Sequence, residues 1–511
     1  MPPHSILIID FGGQYTQLIA RRVREIGVYS QVLPFSANLA EIRRAQPLGV
    51  ILSGSPASVL EGDAPRVDPG VFALGVPVLG ICYGMQLMAH LLGGEVRRGE
   101  AREYGRATVE VEDAGEGLLS GLPAENVCWM SHTWQVTRVP AGFRVTARTA
   151  SCPTAAMADE ARRLYGVQFH PEVTHTENGM DILRQFLLHI CHAPADWSME
   201  TYAQRAIREI RDRVGEGTVL LGLSGGVDSA VAAALLQRAI GQRLTCVYVD
   251  HGLMRAGESE QVAEVFTRDF PVKLMRVDAS ERFFAALRGV TDPEEKRRII
   301  GGAFIEAFKE ASAGLGKLDH FAQGTIYPDV IESGSAKGSA VIKSHHNVGG
   351  LPAELGFTSL VEPLRMLFKD EVRRLGLALG LPESLVRRQP FPGPGLAIRV
   401  IGEVTREKVR IVRESDRILR EEMEAAGAGA SQYFTVLTGA KTVGVMGDER
   451  TYAYALAIRA VTTDDFMTAD VARLPWELLE RIAARIIGEV RGCNRVLYDV
   501  TTKPPASIEW E

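Results

Sequence analysis

Cysteine is scarce in this chain. There are six among 511 residues, at positions 82, 128, 152, 191, 246 and 493, with no CxxC pair and no even spacing. That points away from a disulfide framework and away from structural zinc, and toward a reducing compartment. Long apolar runs are missing too: none approaches the ~18 residues that span a bilayer. The opening stretch, MPPHSILIID, has neither the basic nor the apolar region of a secretory leader. A cytoplasmic protein with no membrane partner is the expectation. The net charge is only −6, which argues against a surface built for nucleic acid but leaves room for a local phosphate pocket. No internal repeat or low-complexity tract is present. What remains is an ordinary globular composition, 46% hydrophobic and 23% charged. At roughly 100–200 residues per domain, the length fits three domains, each able to bury its own core.

The pattern of runs and breaks divides the chain at about 195 and 388. In 1–195, apolar runs at 6–9, 49–52, 76–81 and 163–169 alternate with helical patterns such as 14–26, as in a parallel α/β sheet. A break at 192–196 ends it, and Ser198 is placed to cap the next helix. In 196–388 the same strand-then-helix order returns, with strands predicted at 218–223 and 244–249. Asp292, Pro293 and Glu295 predict a helix start, with Asp292 as cap and Glu295 as its capping-box partner. The dense prolines and glycines of 390–395 open the third segment, 389–511. It reads as a small α+β domain: a charged helix over 405–426, strands at 434–437, 442–445, 453–461 and 495–500, and a helix over 475–490.

Two motifs carry chemistry. Gly80-Ile81-Cys82-Tyr83-Gly84 sits between an apolar strand and a helix. Glycines on both sides of the cysteine suit a tight turn that exposes the sulfur at a helix N-terminus, where the dipole favours thiolate. An isolated cysteine would read as core; the paired glycines weaken that reading. A nucleophile needs a base and a group to orient it. His170 and Glu172 lie two apart beyond a predicted strand, so both face one side. Ser53-Gly54-Ser55-Pro56, at another strand end, can offer backbone N–H groups to an oxyanion. Over 5–192 these features resemble the class I glutamine amidotransferases. The resemblance implies a triad of Cys82, His170 and Glu172, an oxyanion glycine at Gly54, and glutamine contacts from Gln86, Ser131 and His132. It also implies a glutamyl thioester and release of ammonia. Relatives follow the serine and histidine with glycine and aspartate, whereas this chain has Thr133 and Trp134.

The second motif is Ser224, Gly225, Gly226, Val227, Asp228 and Ser229, again between strand and helix. Its glycines and helix N-terminus suit a phosphate, and the lysine of a Walker A loop is absent. Asp228 would repel that phosphate unless a metal ion bridged them, so Mg2+ held at Asp228 is expected. Lys343, followed by Ser344, His345 and His346, can supply a cation; zinc at the two histidines is disfavoured because no carboxylate stands at ligand spacing. The loop resembles that of the ATP-pyrophosphatase superfamily, whose members use ATP to adenylate a substrate and release pyrophosphate.

Three further stretches are similar to the glutamine-hydrolysing GMP synthase family: QGTIYPDVIES at 323–333, FPGPGL at 391–396, and KPPASIEWE at 503–511. The domain order agrees over nearly the whole chain. This resemblance implies glutamine, ATP and xanthosine monophosphate (XMP) as substrates, an XMP pocket at Arg297, Pro392, Gly393, Lys503 and Glu509, and a homodimer formed by the third domain. Arg297 and Lys503 are the cations a monophosphate needs. Without the resemblance, Lys296 to Arg298 would be a solvated basic face and the tail would fray, although Trp510 is costly to leave wet. Two other readings stay open: an amidotransferase of the same superfamily acting on another acid or carbonyl, and a non-catalytic glutamine or nucleotide sensor.

Overall fold

The computed structural model describes residues 5–112, 117–315, 318–335, 357–446, 449–463 and 468–511. They form two compact units: one runs to Tyr202 and takes in the short stretch from Ile331, the other holds the rest from Ala203 onward.

The first unit is built on a nine-stranded sheet. Its strands are β1 (Ile6–Asp10), β2 (Ser30–Pro34), β3 (Gly49–Leu52), β4 (Val78–Ile81), β5 (Glu95–Val111), β6 (Glu125–Arg138), β7 (Arg144–Arg148), β8 (Ala156–Asp159) and β9 (Leu164–Val167), in the order β2-β1-β3-β4-β9-β8-β7-β5-β6. The half from β2 to β9 is parallel. Strands β3, β4 and β9 are buried along their whole length, which is why they are continuous apolar runs. From β9 onward the sheet turns antiparallel. This extension was not visible in the sequence pattern: β5 is rich in charge, and buried residues alternate with exposed or half-buried ones along most of β6.

The second unit contains two sheets. Strands β10 (Val219–Leu223), β11 (Leu244–Asp250), β12 (Lys273–Asp278), β13 (His320–Ala322) and β14 (Ser359–Val361) form a parallel sheet in the order β12-β11-β10-β13-β14. The helix Val227–Ile240, which follows β10, is buried over most of its length because alanines let it pack closely. Strands β15 (Gln432–Met446), β16 (Glu449–Thr462), β17 (Asp470–Val471) and β18 (Cys493–Asp499) form the other sheet, with β18 parallel to β16. The helices Arg406–Ala425 and Trp476–Glu489 complete it. One apolar cluster runs from Leu220 and Phe308 through Leu396 to Ile458 and Ile482, so the two sheets share a core.

Local expectations met mixed outcomes. Ser198 Oγ accepts from Thr201 N at 3.2 Å and caps the helix Met199–Val214. Asp292 accepts from Glu295 N at 2.8 Å and caps the helix Pro293–Ala313, but the Glu295 carboxylate faces Arg298 at 3.4 Å. The separate strands predicted at 434–437 and 442–445 are one strand, β15, with an irregularity between Leu437 and Lys441. The glycine at 439, in the left-handed region at φ 77°, marks the kink that imitated a break.

Candidate active site

In the first unit, Cys82 occupies the turn between β4 and the helix Tyr83–Leu91, with φ 53° and ψ −106°, a conformation unfavourable for a side-chain-bearing residue. The two flanking glycines are sterically required. A Cβ on Gly84 would lie 2.2 Å from the Leu52 carbonyl oxygen, and one on Gly80 would lie 2.6 Å from the backbone of Gly84. The close approach holds the helix N-terminus behind the sulfur, and Cys82 N donates to Val167 O at 2.8 Å.

His170 follows β9 and faces this turn. Its Nδ1 is 2.7 Å from Glu172 Oε1. Cys82, His170 and Glu172 are at most 5% exposed. Burial opposes a charged imidazole here, yet the Glu172 carboxylate and Cys82 together outweigh it and hold His170 well above its ordinary value. The Tyr15 ring meets the imidazole edge-on at 5.0 Å, and the His170 backbone carbonyl accepts from Thr176 Oγ1 at 2.6 Å. Arg22 Nε donates to the Glu172 carbonyl at 2.9 Å. A thiol, an imidazole and a carboxylate are thus brought together in an arrangement suited to acyl transfer.

Gly54 lies against the imidazole, its Cβ position 3.4 Å from His170 Cε1. Ser131 presents its backbone: its carbonyl oxygen is 3.8 Å from Cys82 Sγ. Gln86 is buried, and its amide donates to Trp134 O at 2.6 Å and Gln168 Oε1 at 3.1 Å. Gln168, which sequence reasoning missed, donates in turn to Cys82 Sγ at 3.5 Å. It directly precedes Phe169 and His170, and that adjacency was the available signal. His132 pairs with another missed residue, Glu103, at 3.0 Å. Burial lowers the His132 pKa more than Glu103 raises it, which keeps the ring neutral. Trp134, on β6, packs against the core of this unit, so the departure from the residues usual in relatives fills apolar space.

In the second unit, the loop after β10 bends at Gly225, φ 79°, into the helix Val227–Ile240. Ser224 and Ser229 hydroxyls meet at 3.1 Å, and Ser229 Oγ donates to Gly226 O at 3.0 Å, tying the loop to the first helical turn. Asp228 is not a lone carboxylate: Lys369 Nζ donates to its two oxygens at 2.7 and 2.6 Å. Lys369 lies 141 residues away, beyond the reach of spacing arguments. One partly exposed carboxylate in the first turn of a helix fits Mg2+, which takes one or two carboxylates and completes its shell with phosphate and water, once Lys369 gives up one of its oxygens. Lys343 and the neighbouring histidines lie outside the described residues.

The remaining predicted residues share this second unit. Arg297 pairs with Glu294 at 2.5 Å. Its neighbour Lys296 is fully buried and donates to Val400 O at 2.8 Å, whereas Arg298 is exposed, so the run at 296–298 is divided between core and solvent. Gly395 N donates to Pro392 O at 2.9 Å. A Cβ on Gly395 would lie 2.5 Å from Leu253 O, whereas one on Gly393 meets nothing within 4 Å; the steric demand of FPGPGL falls at Gly395. The C-terminal tail is held in place. Lys503 N donates to Ala469 O at 2.8 Å, and Glu509 accepts from Arg399 Nη2 at 2.8 Å. Glu511 pairs with Lys296. Trp510 stays 39% exposed, contrary to expectation, and its indole N–H donates to Asp499 at 3.0 Å.

The family model for glutamine amidotransferase class-I matches residues 7–190, that for NAD synthase 201–299, and that for the GMP synthase C terminal domain 421–510. A GMP synthase [glutamine-hydrolyzing] from Symbiobacterium thermophilum is 59% identical over 508 residues, covering 99% of each chain. Its counterpart from Acetivibrio thermocellus is 57% identical, again over 99% of each chain. That from Ruminiclostridium cellulolyticum is 56% identical over the full length of both.

Proposed function

This chain belongs to the glutamine-hydrolysing GMP synthase family, and from that premise we propose how its residues divide the work. The enzyme is a ligase that makes GMP from XMP with ATP and with nitrogen from glutamine. Cys82 as thiolate attacks the glutamine amide carbon, and the backbone beside Gly54 stabilises the oxyanion. His170 gives its proton to the departing ammonia and then activates the water that frees glutamate, while Glu172 holds the ring. Gln86, Ser131 and His132 shape the glutamine pocket. The buried Cys82–His170–Glu172 group, with its 2.7 Å carboxylate contact, is the observation that carries this reading.

At the second site, Ser224, Gly225, Gly226, Val227, Asp228 and Ser229 cradle the ATP phosphates, and Lys343 adds a cation. Asp228 would hold the Mg2+ that accompanies ATP, and the ion supplies neutralisation of the polyphosphate charge. The XMP 2-oxygen attacks the α-phosphorus and expels pyrophosphate. Ammonia then displaces AMP from the ring carbon to give GMP. Arg297, Pro392, Gly393, Lys503 and Glu509 line the XMP pocket.

The three-part division at 195 and 388 is retained as the functional one: glutaminase, synthetase, and a C-terminal domain that forms a homodimer. Val443, Val445 and Tyr452 are at least 60% exposed on one sheet, with Val443 directly opposite Tyr452. Such a patch suits a buried interface. Six free cysteines fit the reducing cytoplasm. Incubation with glutamine, Mg-ATP and XMP, followed by mass spectrometry, tests the scheme. GMP, glutamate, AMP and pyrophosphate in equal amounts are expected; ADP and phosphate in their place would overturn the role given to Ser224 to Ser229.

A further inference from the structure

A run of buried charges joins the phosphate loop to the C-terminal tail, and the scheme above does not use the residues between its ends. At one end the Gly225 carbonyl accepts from Arg388 Nη1 at 3.1 Å. The same nitrogen stands 3.4 Å from Glu258 Oε1, which is 3.6 Å from Arg255 Nη1. Arg255 Nε is 3.7 Å from Asp416 Oδ2, and Asp416 Oδ1 is 3.7 Å from Arg399 Nη1. At the other end Arg399 Nη2 donates to Glu509 Oε1 at 2.8 Å. The four inner residues, Glu258, Arg255, Asp416 and Arg399, are at most 4% exposed. The Phe391 ring, next to Pro392, lies 4.5 Å from the Arg255 guanidinium and 5.4 Å from that of Arg399.

Stability alone does not account for such a run, because well-packed apolar residues commonly serve as well or better than buried ion pairs. The end links are hydrogen bonds. The inner links of 3.4–3.7 Å exceed the ~2.9 Å of an N–H···O bond, so they carry Coulomb attraction without full donor–acceptor geometry. Arg255 Nε, Glu258 Oε2, Arg399 Nη1 and Asp416 Oδ1 make no hydrogen bond to another described residue. A network closed at its ends and slack in its middle can tighten when either end is loaded. Asp416 is its hub. It faces both Arg255 and Arg399, and Arg420 Nε anchors it at 3.0 Å to its own helix, Arg406–Ala425.

We propose that Asp416 is a positioning residue of the ligation: by holding Arg255 and Arg399 together it links the phosphate loop to Glu509, so that ATP and XMP raise each other's affinity. The proposal rests on the assignment above of the loop to ATP and of Glu509 to XMP. Linkage makes the effect reciprocal, so one calorimetric measurement reads it. XMP is titrated into the full-length protein with and without Mg2+ and an ATP analogue whose α–β bridging oxygen is replaced by methylene. The wild type is expected to bind XMP at least ~5-fold more tightly with the analogue present. Asp416→Asn should bring that ratio to within about 2-fold of unity while still binding each ligand. Should this variant not fold, Arg255→Lys, which keeps the charge but loses the fork, should lower the ratio at an unchanged melting temperature. A ratio kept in the variants, or absent from the wild type, overturns the proposal. A purely structural role would lower the melting temperature and leave the ratio intact. Glu509→Ala separates the premise from the inference: unchanged XMP affinity there removes the XMP assignment and the proposal with it, whereas weakened XMP binding together with a kept ratio in Asp416→Asn defeats the proposal alone.

Discussion

The two proposed reaction centres keep their polar groups in different ways. At the proposed glutaminase centre, Cys82, His170 and Glu172 are buried together in the order the proposed reaction uses them, with the carboxylate 2.7 Å from the imidazole. At the synthetase centre, residues expected to meet nucleotides are paired with charges outside that reaction order: Asp228 with Lys369, Arg297 with Glu294, and Glu509 with Arg399. Glutamine brings no net charge, so its site can be preassembled. ATP and XMP bring several negative charges, and half-buried ionic groups that await them are costly to leave unpaired. The comparison teaches that a ready triad reads directly as mechanism, whereas a nucleotide site reads as a set of ion pairs that the ligand must exchange.

Breaking one centre should leave the other. Cys82→Ala should lower glutamine-dependent GMP formation by roughly 10³-fold or more and leave ammonia-dependent formation intact. A continuous assay with each nitrogen source checks it, and equal loss with both would erase the distinction. Asp228→Ala should reduce XMP-dependent pyrophosphate release by roughly 10²-fold while Cys82 still reacts with glutamine analogues. Gly84→Ala sharpens the comparison sterically. Its methyl group would meet the Leu52 carbonyl at 2.2 Å, so the first unit should lose about 3 kcal/mol, seen as an earlier thermal transition.

The smallest effect concerns two buried histidines with opposite signs. His170 is raised, so its contribution to stability is full below pH 6.5 and fades as pH rises through its folded value. The stability gap between wild type and Glu172→Gln should therefore be widest below pH 6.5 and shrink above it. His251, in the second unit, is pushed down to about 4, mainly by burial, and its Nδ1 accepts from Leu253 N at 3.0 Å. A lowered value reverses the sign: stability is full above pH 6.5 and is lost as pH falls toward 4. His251→Gln should flatten that acid-side decline in denaturant titrations.

The same contrast explains what the sequence disclosed. The Cys82 turn, the His170 and Glu172 pair and the Ser224 to Ser229 loop are local patterns at strand ends, and such patterns survive without knowledge of tertiary structure. Glu103, Lys369 and Arg388 reach their partners from 29, 141 and 163 residues away, and no spacing rule spans such distances. The buried parallel strands were legible as apolar runs. The antiparallel extension β5 to β8 was not, because half-exposed strands dilute the pattern with charge and because tertiary pairing decides them.

The central claim is that Cys82 carries glutamine chemistry independently of the ATP site. A glutamine-like chloroketone, followed by peptide mapping of all six cysteines, tests it most directly. Burial raises the thiols of Cys128 and Cys152 to about 12 and also raises those of Cys191, Cys246 and Cys493, so these should stay unlabelled. The account predicts one label, on Cys82, with glutamine-dependent activity abolished and ammonia-dependent GMP formation preserved. A label on another cysteine, or loss of the ammonia-dependent reaction on labelling Cys82, would contradict it.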